Sequence, residues 1–413
     1  MTDSISSSES NNEIPLVGRA TIYARLQQHV LDPPNRQAIV FTGHDGIGKS
    51  SLLRLFSHVF DNQILGIYIS LADAPLNTED DWLHYLLDCS NAVLDQHNFT
   101  LSRLPQKSGE DVDFSDWFRD VYLYEVLHMI RPQRRIVWLL DDAEYLLDAL
   151  PQQVDYLHHL LQTHLQLALI FTIDTEHEQR LDELAPLVHP ASAERLHRFD
   201  VADSIDLIRQ YTPGVADEIA NRVYEATGGH PRLLSHFGQA LHATWASHSD
   251  KQALETARPI AYAASDSHFR QMWKLLSRDE RLVLTAIASL IYDDPLQSVI
   301  VERIEAWLVE TDYPMDNVAI HAALRGLDYQ DIVSNYRQQG FKLTAGMMQT
   351  WLLEHARLTE IIGSNFSTLT SKVSRRMIVI AIIIILLAVV TLLLLPAPTL
   401  APSEAIPTVT LAQ

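Results

Sequence analysis

A glycine-rich loop between a strand pattern and a helix pattern constrains this chain more than any other feature. Residues 38–42 read Ala-Ile-Val-Phe-Thr, a short strand-forming run, and residues 51–60 have the apolar spacing of a helix. Between them, residues 43–50 read Gly-His-Asp-Gly-Ile-Gly-Lys-Ser. A strand, this loop and a helix in succession predict a parallel α/β sheet whose loop wraps a phosphate group with backbone N–H groups.

The polar residues of this loop have separate expected roles. Lys49 would reach the β- and γ-phosphates of a nucleotide, and the Ser50 hydroxyl would ligate Mg²⁺. The glycines let backbone N–H groups approach the β-phosphate, and the helix N-terminus adds its dipole. The predicted nucleotide-binding residues of this segment are Gly43, His44, Asp45, Gly46, Ile47, Gly48, Lys49, Ser50 and Ser51.

Two carboxylates follow a second hydrophobic strand pattern at residues 135–140. Hydrolysis of a bound nucleotide needs a carboxylate that holds the Mg²⁺ ion and a group that positions the attacking water. We expect Asp141 to hold Mg²⁺ opposite Ser50, and Asp142 or Glu144 to position the water. Many hydrolases carry Glu where Asp142 stands, and Asp is one methylene shorter. The alternative is that both aspartates are a solvated strand end or cap the next helix.

A strand at residues 167–173 is predicted to lie between the two motif strands. A polar side chain at its carboxyl end would then face the γ-phosphate. Thr172 is the favoured candidate, because a second anion at Asp174 would repel phosphate. A plain strand-end threonine is the alternative.

Strand and helix patterns alternate through the first half of the chain, which predicts an α/β fold with helices on both faces of a parallel sheet. Helical patterns dominate after residue 203, and three helices with a β-hairpin outline a winged-helix module. The predicted strands are residues 38–42, 64–71, 135–140, 167–173 and 196–201, and the hairpin strands are 332–335 and 341–344. The predicted helices include residues 80–96, 113–130, 152–165, 277–291, 299–309, 317–329 and 349–358.

Composition and charge exclude several classes of protein. The 413 residues carry a formal charge of −21, which argues against general affinity for nucleic acid. Residues 278–360, which include the predicted winged helix, have seven Lys/Arg against thirteen Asp/Glu. Cys89 is the only cysteine, so no internal disulfide can form. The histidines show no spacing typical of a metal site.

Residues 377–395 predict a single membrane span. All 19 residues are uncharged, and 15 of them are Ile, Leu or Val. A helix of this length and apolar character is long enough to cross a bilayer. Lys372, Arg375 and Arg376 precede the span, and no Lys or Arg follows it. The positive-inside rule therefore predicts a single-pass protein of the cell membrane, with its N-terminal domains in the cytoplasm and residues 396–413 outside.

The order of motifs resembles the STAND class of AAA+-related P-loop ATPases, near the archaeal-type and NACHT-like members. The resemblance covers roughly residues 13–360. It is carried by Pro15-Leu16-Val17-Gly18-Arg19, the loop at residues 43–50, Leu139-Leu140-Asp141-Asp142, Thr172 and Gly228-Gly229-His230-Pro231. A helix stop with Gly at the C-cap and Pro beyond is the alternative for the last motif.

The resemblance implies roles for residues outside the phosphate loop. Val17, Gly18 and Arg19 would lie against the base or ribose, and His230 and Pro231 would close over the nucleotide from a helical lid. Relatives also use an arginine finger, for which Arg131, Arg134, Arg195 and Arg198 are all eligible here. With Asp142 in place of Glu, slow or partner-activated hydrolysis is the expectation.

These observations predict a membrane-anchored ATP-binding switch that uses ATP and Mg²⁺, exchanges bound ADP for ATP and associates with itself or with a protein partner. The alternatives are an ATP-binding scaffold with negligible hydrolysis and a membrane-bound winged-helix DNA regulator. The predicted segments are a disordered tail (1–12), a P-loop core (13–202), a helical lid (203–265), a winged helix (266–360), a linker (361–376), a span (377–395) and an outer tail (396–413).

Overall fold

The computed structural model describes residues 17–31, 36–59, 63–107, 112–130, 134–246, 250–294, 297–336 and 340–358. The chain divides into two compact units after His355, and every element below lies in the first unit, Met1–His355. Among the described residues, no helix has the length and apolar character that a membrane crossing requires. The predicted span at residues 377–395, its linker and both predicted tails lie outside the described residues.

In the described part of the chain, five parallel strands form one sheet in the order β2-β3-β4-β1-β5. The strand β4 therefore separates β1 from β3, which confirms the predicted position of the fourth strand between the two motif strands. Because the strands are parallel, their carboxyl ends meet at one edge of the sheet. The strands are β1 (Ala38–Gly43), β2 (Ile64–Ser70), β3 (Arg135–Asp141), β4 (Leu167–Asp174) and β5 (Val188–Arg195).

Helices cover both faces of the sheet, as the α/β prediction requires. One face packs against α1 and α2 through buried residues such as Leu26 and Phe56. The opposite face packs against α3, α5 and α7, with Trp82 and Trp138 fully buried. These helices and their neighbours are α1 (Ala20–Leu31), α2 (Lys49–Val59), α3 (Glu79–Gln96), α4 (Phe114–Trp117), α5 (Leu123–Ile130), α6 (Glu144–Ala149) and α7 (Gln153–Thr163).

The predicted helix over residues 113–130 is continuous but irregular. A π-helical segment, Phe118–Tyr122, joins α4 to α5. Asp113 caps the first turn, because its side chain accepts the N–H of Ser115 at 2.8 Å. The wider turn places Phe118 and Tyr122 together against the sheet, with ring centroids 5.3 Å apart.

The predicted fifth strand at residues 196–201 is wrong. The strand β5 ends at Arg195, and Val201 instead begins the next helix. The Asp200 side chain accepts the Asp203 N–H at 2.8 Å, which is an N-cap and not a strand contact. The real strand was missed because its sequence contains Pro190 and little apolar character. It lies at the sheet edge, where proline is tolerated.

Four helices follow the sheet: α8 (Val201–Tyr211), α9 (Asp217–Thr227), α10 (Pro231–Trp245) and α11 (Asp250–Leu275). The predicted boundary between lid and winged helix, at residues 265 and 266, falls inside α11, so the chain has no break there. The sequence placed residues 203–265 in a helical lid but named no helix across residues 250–275, and Pro259 lies in the interior of α11.

The last elements follow the order that was predicted for a winged helix. Three helices, α12 (Arg278–Leu290), α13 (Val301–Glu310) and α14 (Asn317–Tyr329), precede an antiparallel hairpin of β6 (Val333–Tyr336) and β7 (Gly340–Leu343). Val299 forms a further antiparallel bridge with Phe341 of the hairpin. The helix α15 (Gly346–His355) follows.

Candidate functional site

The phosphate loop connects β1 to α2 at the carboxyl edge of the sheet. Gly46 and Gly48 have φ values of +77° and +98°, which a residue with a Cβ rarely adopts. The loop turns back on itself in this conformation, and Lys49 is the first residue of α2. The segment that contains Gly43, Ile47 and Ser50 therefore has the strand–loop–helix context that the sequence predicts, with Ser51 one residue further along α2.

Lys49 is buried against the loop and pairs with a carboxylate of β4. Its Nζ donates to the carbonyl oxygen of Gly43 at 2.8 Å and lies 2.9 Å from Asp174 Oδ2. The Lys49 side chain is only 7% exposed. Asp174, which the sequence disfavoured as a phosphate contact, is therefore the counter-ion of Lys49, the residue predicted to reach the phosphates.

Asp141 ends β3 and is 2% exposed. Two hydroxyl groups hold its carboxylate. Thr172 Oγ1 donates to Oδ1 at 2.5 Å, and the Tyr68 hydroxyl donates to Oδ2 at 2.6 Å. Burial, and then the contact with Asp141, raises the pKa of Tyr68, so the phenol stays protonated and donates. Thr172 also accepts the Asp142 N–H at 2.9 Å. In this structure the Thr172 hydroxyl hydrogen is therefore donated to Asp141.

Asp142 and Glu144 line one cavity with Asp174 and His44, of about 600 Å³, which we call the carboxylate cavity. Asp142 has φ +60°, in the left-handed region. Burial and the neighbouring charges of Asp141 and Glu144 raise the pKa of Asp142 to about 6. Burial also raises the pKa of Glu144, and its Oε2 has no hydrogen-bond partner among the described residues. Both groups line the cavity with raised pKa values, which favours proton uptake by either carboxylate.

The residues present fit Mg²⁺ when it arrives with a nucleotide. Ser50 and Asp141 offer the oxygen ligands that Mg²⁺ prefers, and Asp141 keeps free lone pairs beside its two donors. Among the described residues, no group of three or more His, Cys, Asp or Glu side chains could hold a metal alone. Phosphate oxygens would therefore complete the coordination.

A second cavity, of about 750 Å³, shares Ile47 of the loop with the carboxylate cavity. We call it the aromatic cavity because Tyr23, Phe199 and Tyr211 line it, together with Val17, Arg19, Ile47, Gly48, Ser51 and Pro231. Apolar and aromatic walls with a few polar groups are typical of a nucleobase site. The predicted base contacts Val17 and Arg19 and the lid residue Pro231 thus line one cavity.

Arg19 is anchored in this wall. Its Nη2 donates to the carbonyl oxygens of Ile47 at 3.1 Å and His197 at 2.9 Å, and its guanidinium lies 4.8 Å from the Phe199 ring centroid. Burial lowers the pKa of Arg19 to about 10. Gly18 precedes it with φ +69°, and a Cβ there would lie 2.5 Å from the Phe199 ring. Close approach of the two segments therefore requires glycine.

The lid motif divides between the two cavities. Pro231 begins α10 and faces the aromatic cavity, whereas His230 faces the carboxylate cavity. The His230 and His268 ring centroids are 4.7 Å apart. Burial lowers the pKa of His230 well below its usual range, so the imidazole is neutral.

An arginine of the lid, Arg232, pairs with the phosphate loop and was missed in the sequence. Its Nη2 lies 2.8 Å from Asp45 Oδ1, and its Nη1 contacts Oδ2. His268 Nδ1 lies 3.8 Å from Asp45 Oδ2. Burial alone would raise the pKa of Asp45, but His268 and Arg232 hold it well below its ordinary value. The position of Arg232 directly after the Gly-Gly-His-Pro motif was the available signal.

The phosphate loop also contacts α14. His44 Nε2 lies 3.1 Å from the carbonyl oxygen of Tyr329, and Arg195 Nη2 lies 2.8 Å from the same His44 nitrogen. The Arg195 guanidinium lies 4.0 Å from the Tyr329 ring centroid, and the Tyr329 hydroxyl contacts Glu178. Burial, and then the charge of Arg195, lowers the pKa of His44 to about 4, so its neutral ring accepts from Arg195.

The arginine-finger candidates have contacts within the chain. Arg195 is engaged with His44 and Tyr329, and Arg198 donates to the carbonyl oxygen of Gly228 at 3.0 Å. Arg134 lies 3.0 Å from His97, away from the loop. Arg131 lies outside the described residues.

The sheet order, the glycine loop before Lys49 and the carboxylate at the end of β3 define the core of a P-loop ATPase. Residues 34–181 match the family model described as AAA domain. The chain therefore contains an AAA-type P-loop ATPase domain.

Similarity to one solved structure supports the fold. The Walker-type ATPase PABY2304 of Pyrococcus abyssi is similar with a TM-score of 0.55 and 16% identity, over 81% of this chain and 95% of that chain. Cdc6p from Pyrobaculum aerophilum matches with a TM-score of 0.39 and 15% identity, over 87% and 97% of the two chains. No curated protein sequence matches this chain.

Proposed function

We propose that this protein is a membrane-anchored, STAND-type ATPase that binds ATP with Mg²⁺ and acts as a nucleotide-dependent switch. The main support for the proposal is that residues far along the chain contact the phosphate loop. Arg232 of α10 pairs with Asp45, and Arg195 donates both to His44 and to the carbonyl oxygen of Tyr329 in α14. A triphosphate in the loop would add negative charge beside these contacts and compete for the same cations. Nucleotide state and lid position are thereby coupled.

The residues of the site divide the chemistry between them. Lys49 binds the phosphates once it leaves Asp174, and Asp141 and Ser50 hold the metal. Bound Mg²⁺ supplies charge neutralisation at the transferring phosphoryl group. Asp142 or Glu144 accepts a proton from the attacking water, because both line the carboxylate cavity and have raised pKa values. The short reach of Asp142 supports slow or partner-activated turnover.

Membrane anchoring is part of the proposal and rests on residues 377–395 alone. Insertion of this segment is favourable by roughly 5 kcal/mol on the biological scale. Alkaline carbonate extraction of membranes that contain the full-length protein tests it. We expect the protein to remain with the membrane pellet, and recovery in the supernatant would contradict the anchor.

The module formed by α12–α14 and the hairpin is proposed to be a winged helix that contacts protein and not DNA. Its order of elements supports the class, and its net charge over residues 278–360 disfavours DNA. Self-association or a protein partner is the proposed output. Salt-dependent DNA affinity of the full-length protein would favour the transcription-regulator alternative.

ATP turnover and ATP binding by the full-length protein in detergent test the enzyme. We expect Lys49→Ala and Asp141→Ala to lower turnover by at least about 100-fold, because Lys49 supplies positive charge to the phosphates and Asp141 holds the metal. Lys251→Ala, at an exposed lysine of α11, is the matched control. Tight ATP binding without turnover in the unmutated protein would favour the scaffold alternative, and no binding would refute both.

A further inference from the structure

We propose that Tyr68, with Arg54 behind it, is a positioning residue for the Mg²⁺-binding carboxylate Asp141. The inference deepens the proposed function and rests on it. Tyr68 is the one tyrosine whose hydroxyl donates to Asp141 within the described part of the chain, and the distance to Oδ2 is 2.6 Å. It lies on β2, 73 residues from its partner, so no sequence motif joins the two.

The Tyr68 hydroxyl is oriented from behind by α2. Arg54 Nη2 donates to the hydroxyl oxygen at 3.1 Å, so the phenol accepts from Arg54 and donates its hydrogen to Asp141. The guanidinium also lies 4.4 Å from the Tyr68 ring centroid. The Arg54 guanidinium therefore fixes both the ring and the hydroxyl oxygen of Tyr68. The O–H bond is left to point towards Asp141.

Close packing of α2 on β2 makes this arrangement possible. Gly66 lies two residues before Tyr68 on the same face of the strand, and a Cβ at Gly66 would lie 2.5 Å from Ser57 Cβ. The helix therefore rests directly on the strand at Gly66, and Arg54, one turn earlier, covers Tyr68.

The same helix carries the predicted metal ligand. Ser50, Arg54 and Ser57 are spaced i, i+4 and i+7, so they share one face of α2. That face rests on β2, and the next strand, β3, ends at Asp141. The chain of contacts from Arg54 through Tyr68 to Asp141 therefore joins the helix of one metal ligand to the other ligand.

The two hydroxyl groups donate to different oxygens of the Asp141 carboxylate. Thr172 holds Oδ1 from β4, and Tyr68 holds Oδ2 from β2. A carboxylate fixed at both oxygens cannot rotate, so its remaining lone pairs have a set direction towards a metal. Without the Tyr68 donor, only the Thr172 bond to Oδ1 would oppose rotation of the carboxylate about its Cβ–Cγ bond.

The test compares two affinities in the full-length protein. One is the dissociation constant of ATP in EDTA, and the other is the MgCl₂ concentration at the midpoint of Mg²⁺-dependent tightening. We expect Tyr68→Phe to raise the Mg²⁺ midpoint roughly 10-fold while the EDTA value stays unchanged. Arg54→Met should shift the midpoint in the same direction by less. Tyr156→Phe is the control, because its hydroxyl donates at 2.9 Å to the carbonyl oxygen of Ser115, a contact that does not involve Asp141.

Three outcomes would overturn the inference. An unchanged Mg²⁺ midpoint in Tyr68→Phe shows that the hydroxyl does not position the metal ligand. Equal weakening of binding in EDTA and in Mg²⁺ shows a general structural role instead. An unmutated protein that binds ATP without any response to Mg²⁺ refutes the metal site of the proposed function, which is a distinct result because it does not depend on the variant.

Discussion

Lys49 Nζ lies 2.9 Å from Asp174 Oδ2, so the cation that the phosphate loop presents to a nucleotide already has a partner inside the chain. The Arg232 guanidinium is likewise already paired, with the carboxylate of Asp45. Two internal carboxylates thus stand where phosphate oxygens would otherwise neutralise these cations. Nucleotide binding becomes an exchange of one anion for another and not a simple addition of charge.

Asp174→Asn tests this exchange. The amide keeps the cap on the Glu176 N–H, which the Asp174 side chain accepts at 3.1 Å, but it removes the charge that phosphate must displace. We expect ATP to bind about threefold to tenfold more tightly, which corresponds to about 0.7–1.4 kcal/mol. Isothermal titration calorimetry in EDTA measures the dissociation constant of ATP. Glu183→Gln, in the exposed pair with Arg180, is the control. Weaker binding in Asp174→Asn would show that the carboxylate supports the nucleotide.

The coupling between Asp45 and Arg232 should depend on nucleotide. The pair is partly exposed, at 37% and 36% of the two side chains, so its worth in the free protein is about 0.5–1 kcal/mol. A double-mutant cycle with Asp45→Asn and Arg232→Gln, followed by thermal unfolding, measures it. We expect the coupling energy to approach zero with bound ATP, because the guanidinium then turns to phosphate. An undiminished coupling would show that the lid does not respond.

Tyr329→Ala should loosen the contact between α14 and the phosphate loop. The change removes the ring beneath Arg195 and the hydroxyl contact with Glu178. We expect release of fluorescent ADP to accelerate about threefold or more, since a cation–π contact of this kind is worth roughly 0.5–1 kcal/mol. Tyr292→Ala, at a tyrosine of the same module that is 70% exposed, is the control. Equal release rates in the two variants would contradict a closing role for α14.

The pKa of Asp142 predicts a pH dependence of both stability and turnover. The folded pKa, about 6, is above the ordinary value of 3.8, so the folded protein binds the extra proton between these values. Stability that this group contributes is present below pH 3.8 and is lost as the pH rises through about 6. Asp142→Asn should therefore be more stable than the unmutated protein above pH 6, by about 1–2 kcal/mol after solvent screening.

Thermal unfolding at pH 5 and pH 8 measures the difference, which should be larger at pH 8. Asparagine is suited to the left-handed φ of this position, so the backbone is not strained by the change. If the ionised Asp142 accepts the proton from water, turnover of the unmutated protein rises with pH through about 6. A flat profile would show that ionisation of Asp142 does not control turnover.

Local patterns predicted most of the core. The strands β1 to β4, the glycine loop and Asp141 each follow from a run of adjacent residues, and all lie where the sequence indicated. The edge strand β5 was misplaced because Pro190 and polar residues interrupt its pattern, and α11 was missed because it tolerates Pro259. Sequence periodicity does not report how edge position or tertiary packing compensates for such residues.

The contacts that define the site were harder to predict than its residues. Tyr68, Arg232 and Tyr329 reach partners 73, 187 and 285 positions away. Each is an ordinary residue on its own element, and its partner is set by how the elements pack. Thr172 was found as a polar strand end, but only the register of β3 against β4 brings its hydroxyl to Asp141.

Gly228 links events at the aromatic cavity to the far hairpin. A Cβ on this residue would lie 2.1 Å from the carbonyl oxygen of Thr344, so the turn before α10 and the end of β7 touch backbone to backbone. Backbone contacts of this kind cannot absorb a shift through side-chain rotation. A nucleobase that displaced Pro231, three residues after Gly228, would therefore be expected to displace Thr344 as well, although the hairpin does not line the aromatic cavity.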